Sequence, residues 1–186
     1  MKKMLNDTMN IELIKTEILN RSANEIILEC GVSKEFAQQI SNTPIVLLPD
    51  IQRNDVIAFA VGIQDFYDYC KSQSADIDIC AEENVIEIEL CSRKIRIGKI
   101  LVRDVVLPLA LSLLANYIYD ACKSDIEGQP TAIEQEYQAP PQVSFTIAVE
   151  DSCGVVRKEY SYDGPAKDIQ EVTQHVEKLW NEDAAK

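Results

Sequence analysis

Four carboxylates, Asp76, Asp78, Glu87 and Glu89, occupy alternate positions of two segments, DIDIC and VIEIEL. On strands, that spacing puts the acids of each segment on one face, and clustered carboxylate oxygens suit hard divalent cations. The chemistry on offer is that of a carboxylate- and metal-dependent enzyme using the Asp76/Asp78/Glu87/Glu89 face. Alternating acids are equally the wet face of a half-buried strand, and Lys94 and Arg96 follow closely enough to neutralise some of them. Other reactive residues are sparse. His175 is the single histidine, so no His-rich metal site forms within one chain. A Cys–His pair would need His175, at the edge of its helix's apolar stripe, to meet one of Cys30, Cys70, Cys80, Cys91, Cys122 or Cys153. Six glycines, none in a nucleophile-elbow, P-loop or dinucleotide pattern, leave little for a phosphate cradle. No cofactor, resident metal or small-molecule ligand is expected.

Two short stretches bear on nucleic acid. Ala23 to Ile40, ANEIILECGVSKEFAQQI, resembles a helix-turn-helix: Gly31 at the turn, Val32 and Ser33 after it, then a second helix with Ala37 and Ile40 inward. The resemblance implies DNA contact through Lys34, Gln38 and Gln39. Ile27 departs from it, standing where the family has a small residue for close helix packing. The same pattern describes any helical hairpin with a glycine C-cap and a serine N-cap. Pro49-Asp50 is similar to the start of a restriction-nuclease motif, but no Asp/Glu-x-Lys follows on a suitable strand.

Charge weighs against both. Lys plus Arg number 18 and Asp plus Glu 31, giving −13 at neutral pH. The excess is spread along the chain, with 12 basic against 18 acidic residues in 1–122 and 5 against 9 in 143–186. Affinity for nucleic acid rests on Lys and Arg neutralising phosphates, which this balance opposes. Basic protein partners suit it better.

The elements that must position these residues point to an α+β fold: a helical N-terminal part, an antiparallel sheet with packed helices, and a C-terminal ββα unit. Residues 9–42 fit helices, with Ile11, Ile14 and Ile18 at helical spacing and Glu17 and Arg21 placed for a pair. PIVLLPD reads as a short buried strand. Asn54 is placed to cap a helix from Asp55 to about Lys71, with Val56, Phe59, Ile63, Phe66 and Cys70 inward. From Asp76 to Ile100 the period becomes two. A hairpin turning at Ser92-Arg93 would oppose Leu90 to Ile95, Ile88 to Ile97 and Glu89 to Arg96, with DIDIC pairing beside it. Lys123 to Gln142 reads as a linker between a domain of residues 1–122 and a small module of 143–186. That module begins with a hairpin around EDSCG, Phe145 opposing Tyr160 and Val143 opposing Tyr162. Its closing helix starts at Pro165, with Ile169, Val172, Val176, Leu179 and Trp180 on one face.

The most apolar stretch, Val105 to Tyr119, spans about 22 Å as a helix, short of the roughly 30 Å of hydrocarbon in a bilayer. Charges at Arg103, Asp104 and Asp120 close it on both sides, so a buried core helix is expected rather than a membrane span. The cysteines are widely spaced, and MKKMLNDTMN contains no signal-like apolar run, which suits a reducing cytoplasm.

Together these features lead to the expectation of a non-enzymatic interaction or regulatory protein acting through self-association, a homodimer at simplest, or through a protein partner. The candidate interface residues are Tyr117 and Tyr119, on the apolar helix that needs cover on most sides, and Phe145, Tyr160, Tyr162 and Trp180, more rings than a forty-residue module easily buries alone. An acidic inhibitor or antitoxin-like partner of a basic or nucleic-acid-processing protein is the charge-based alternative.

Overall fold

The computed structural model describes residues 13–49, 51–53, 56–60, 62–82, 86–88, 94–127 and 140–184. In chain order these form β1 (Ile14–Ser22), α1 (Ala23–Leu28), α2 (Lys34–Ile40), β2 (Ile45–Leu48), β3 (Ile51–Arg53), β4 (Val56–Ala60) and α3 (Ile63–Ser72). There follow β5 (Ile77–Ile79), β6 (Ile86–Ile88), β7 (Lys94–Arg103), α4 (Leu107–Glu127), β8 (Gln142–Glu150), β9 (Val155–Pro165) and α5 (Ile169–Ala184). The α+β class holds. Six strands make one mixed sheet in the order β1-β9-β8-β7-β2-β5, and β3-β4-β6 make a small second one.

The centre of the large sheet explains the rest. All four residues of β2 are buried, Ile45 and Leu47 toward one core and Val46 and Leu48 toward the other. A strand buried on both faces needs helices on both sides. Helices α3, α4 and α5 cover the first face with Phe66, Leu111, Leu114, Ile118, Val172 and Val176. The short α1–α2 pair covers part of the second face with Ile26, Ile27, Ala37 and Ile40. Parallel neighbours require crossovers, and the two in this sheet, β2 to β5 and β7 to β8, run through α3 and α4 respectively.

As a crossover, α4 packs six apolar residues on the sheet. Among the described residues it is the one helix long and apolar enough to cross a membrane. Here Leu107, Ala110, Leu111, Leu113, Leu114 and Ile118 are buried in the core, while Ser112, Asn116 and Asp120 point outward. Each fully buried leucine contributes about 2 kcal/mol of apolar transfer energy.

Several expected elements differ. Residues 14–22 are a strand, because Ile14, Thr16 and Ile18 are β-branched at period two and find β9 as an antiparallel partner. Val56–Ala60 is likewise a strand; the chain then turns at Gly62, whose φ of 97° excludes most other residues, and only Ile63–Ser72 is helical. The sheet is mixed rather than antiparallel. β7 pairs with β2 and β8, and Ile88 of β6 lies beside Ala60 of β4, so the expected hairpin between β6 and β7 does not form. Positions 89–93, including its proposed turn, lie outside the described residues.

Nor is 143–186 a separate module. Strands β8 and β9 are interior strands of the large sheet, and Lys123–Glu127 belongs to α4 rather than to a linker. The β8–β9 hairpin itself forms, with Phe145 opposite Tyr162 and Val143 opposite Gly164, two residues from the expected register. A two-residue shift keeps every side chain on its face, so the inward set is unchanged. Its loop is held by Asp151, whose Oδ1 accepts from the N–H of Cys153 (2.8 Å) and Val155 (3.1 Å) and whose Oδ2 accepts from Arg157 Nε (2.6 Å).

Candidate functional site

The alternative carboxylate face is not assembled among the described residues. Asp76 and Asp78 flank and enter β5 of the large sheet, whereas Glu87 lies on β6 of the small one; Glu89 lies outside the described residues. Sheet faces are shared only within a sheet, so Asp76 and Asp78 share no face with Glu87. Among the described residues no three His, Cys, Asp or Glu side chains gather where an ion would sit. His175 is half-buried on α5, and Asp50 lies outside the described residues.

The helix-turn-helix resemblance reduces to a cover. Helices α1 and α2 are six and seven residues long and bury Ile26, Ile27, Ala37 and Ile40 against the sheet. Ser33 caps α2 by accepting from Phe36 N–H at 3.2 Å, while its own N–H donates to Glu82 Oε2 at 2.9 Å. The Ser33 hydroxyl, donating to Glu82 Oε1, and then its N–H hold the Glu82 carboxyl below the usual carboxylate range and pin the helical pair to the chain leaving β5.

Nor do most of the six aromatic candidates face outward. Phe145, Tyr160 and Tyr162 are fully buried under the helices, and Trp180 keeps only 9% of its surface. Burial also pushes the Tyr162 phenol up to about 12. Tyr117 is wedged between α3 and α4. Tyr119 is exposed, at 53%, but Lys123 Nζ stands 4.3 Å over its ring. Phe145, Tyr160, Tyr162 and Trp180 share one core with residues of α3 and α4.

The surface left over has three parts. Beyond the reach of α1–α2, the second face of the large sheet is polar: Thr146 and Ser161 hydroxyls meet at 3.0 Å, Lys94 pairs with Asp163 at 2.5 Å, and Lys99 pairs with Glu159. A shallow hollow of about 200 Å³ there is lined by Lys15, Gly98, Ser144, Thr146, Ser161 and Asp163. A second hollow, of about 160 Å³, lies between the start of α4 and the end of α5, with Val105, Pro108 and Trp180 as its apolar wall and Asp104 and Glu177 on its rim. Val105 is 79% exposed and Leu109, one turn along, 50%.

The third part is the edge strand β1. Its inner side pairs with β9, Ile14 beside Tyr162 and Ile18 beside Lys158, and among the described residues no strand takes its outer side. Ile18 is 68% exposed. After it the pairing is interrupted at Leu19-Asn20, where Asn20 has a φ of 48°, and the chain turns into α1. Arg21 and Glu29 form an ion pair there that holds the carboxyl low and the guanidinium high.

Sequence reasoning placed Ile18, Val105 and Leu109 inside. The outward face of α4 was marked by Leu109, Ser112 and Asn116 at helical spacing, and the strand by the alternation Ile14-Lys15-Thr16-Glu17-Ile18. Searches against family models, characterised proteins and solved structures find no match to this chain.

Proposed function

We propose that this is a non-enzymatic interaction or accessory protein of the cytoplasm, acting by association with a second chain, a copy of itself at simplest. The observation that carries the reading is the outer edge of β1, which no strand among the described residues takes, with Ile18 68% exposed on it. Single apolar residues are ordinary on protein surfaces. An apolar residue on an unpaired strand edge is different, because the strand's outward N–H and C=O groups offer a second chain backbone hydrogen bonds at the same place. Light scattering of the purified chain over a wide concentration series tests this. A mass rising from one chain toward two is expected; a mass of one chain throughout overturns self-association.

The charge of −13, with Asp104 and Glu177 rimming the Trp180 hollow, favours a second reading: an acidic inhibitor or antitoxin-like partner of a basic or nucleic-acid-processing protein. Such a complex weakens steeply with salt. Calorimetric titration with a polybasic protein at low and high ionic strength tests it, and binding that is absent or indifferent to salt sinks it.

A further inference from the structure

The edge strand carries a pattern that pairs with itself. Residues 14–18 read Ile-Lys-Thr-Glu-Ile, and in reverse they read Ile-Glu-Thr-Lys-Ile. We propose that β1 is the interface of a two-fold homodimer, in which the β1 strands of two copies run antiparallel with Thr16 opposite Thr16 and the two sheets become one. This rests on the self-association reading and names its surface.

In that register Lys15 of each copy lies opposite Glu17 of the other, and Ile14 opposite Ile18. Opposed residues share a face, so the charged pairs fall on the polar second face and the isoleucines on the helix-covered face. Ile14 is already half-buried against the main core, which lets the other copy's Ile18 extend that core across the junction. Neighbouring registers fail. Centring on Lys15 sets lysine against lysine, and centring on Glu17 sets glutamate against glutamate. A shift of a single residue opposes polar-face to apolar-face positions.

Pairing within the chain does not explain the pattern. Against β9, Glu17 lies opposite Glu159 and Ile18 opposite Lys158, so neither finds its chemical complement in its own sheet. The irregularity at Leu19-Asn20 confines the flat edge to residues 14–18, which matches the self-complementary segment. Lysine and a bulge are also devices that keep sheet edges solitary, so the competing description is an edge built against pairing.

Charge reversal separates the two. Lys15→Glu makes both cross-copy pairs acidic and Glu17→Lys makes both basic, since two-fold symmetry doubles every change. Both positions are exposed, so the fold is spared. Each single variant, in sedimentation velocity over a concentration series, is expected to raise the dimer dissociation constant tenfold or more, on the order of two reversed cross-strand pairs. The double variant Lys15→Glu/Glu17→Lys restores complementarity and dimerises again. An equimolar mixture of the two single variants forms a heterodimer, although each alone stays monomeric. A wild-type dimer that none of these changes weakens overturns the β1 interface and leaves self-association through another surface standing; a wild-type chain monomeric at every concentration overturns both.

Discussion

Phe66 of α3 and Tyr117 of α4 meet edge to face, their ring centroids 5.2 Å apart at 61°, and Tyr69 closes on the same ring from 5.5 Å. Tyr117 is therefore the wedge joining the two crossover helices, and its phenol is pushed up to about 12 by burial, with Asp65 nearby adding to the effect. Tyr117→Ala is expected to cost about 2–4 kcal/mol in urea denaturation, whereas Tyr117→Phe keeps the ring and costs little. The folded state disfavours the phenolate, so this group's stabilisation is complete below the unfolded value near 10 and is lost as pH rises toward about 12. Tyr117→Phe should accordingly lose less stability than the wild type over that alkaline window.

Asp151 organises the loop on which the register of β8 and β9 depends. Burial alone would raise its pKa, but the N–H groups of Val155 and Cys153 and the Arg157 guanidinium outweigh it and hold the carboxyl low. Asp151→Ala leaves those donors without their acceptor and should destabilise the chain by about 1–3 kcal/mol in urea melts. The carboxylate's contribution is present above the ordinary unfolded value and disappears as pH falls through its depressed folded value, so wild type and Asp151→Ala should converge in stability under acid.

At Ile97-Gly98 the parallel register of β7 against β8 slips by one residue, which lets Ile97 drop fully into the core. Gly98 takes up the irregularity with a φ of 79°. A side chain there meets left-handed strain, and Gly98→Ala should lose about 1–2 kcal/mol, seen as a lower denaturation midpoint. An alanine variant as stable as the wild type would show that the slip does not need glycine.

How far these features were legible varies with the range of the contact that makes them. The β8–β9 hairpin and α5 follow from local pattern: alternation through Val143, Phe145 and Ile147, and a stripe through Ile169, Val172 and Val176. The hairpin register was missed because the irregularity at Val149/Glu150 and the loop geometry at Asp151 leave no periodic mark. Ile11, Ile14 and Ile18 satisfy helical spacing while Ile14, Thr16 and Ile18 satisfy strand spacing; only the presence of β9 decides between them. The alternating segments around Ile77, Ile86 and Ile95 match one another equally well, so nothing local says that two of them pair instead with β2 and β4. For the same reason Phe145, Tyr160 and Tyr162 read as rings without cover, when the layer over them combines α5, next in the chain, with α3 and α4 from well before it.

The cysteines divide by environment. Cys30 and Cys80 lie together beneath α1, their sulfurs 3.4 Å from Ile26 O and 3.8 Å from Ile27 O respectively. The mutual influence of the two neighbouring thiols holds Cys30 below and Cys80 above the ordinary range, and burial pushes Cys70 up to about 12. Cys153, in contrast, sits exposed in the Asp151 loop. Thiolate and access together set the rate of alkylation. In the native protein at neutral pH, iodoacetamide followed by peptide mass analysis should label Cys153 within minutes, while Cys70 and Cys80 acquire label only as fast as the chain opens. The Cys30 thiol is held low, but only 7% of its surface is exposed, so it too should be labelled more slowly than Cys153. Adding urea through the unfolding transition should bring Cys30, Cys70 and Cys80 to the rate of Cys153 together, because Cys70 lies in the core under α3 and the other two in the core under α1, and the two cores share the strands of one sheet. Labelling of Cys30 and Cys80 well before Cys70 would mean that the α1–α2 cover opens on its own.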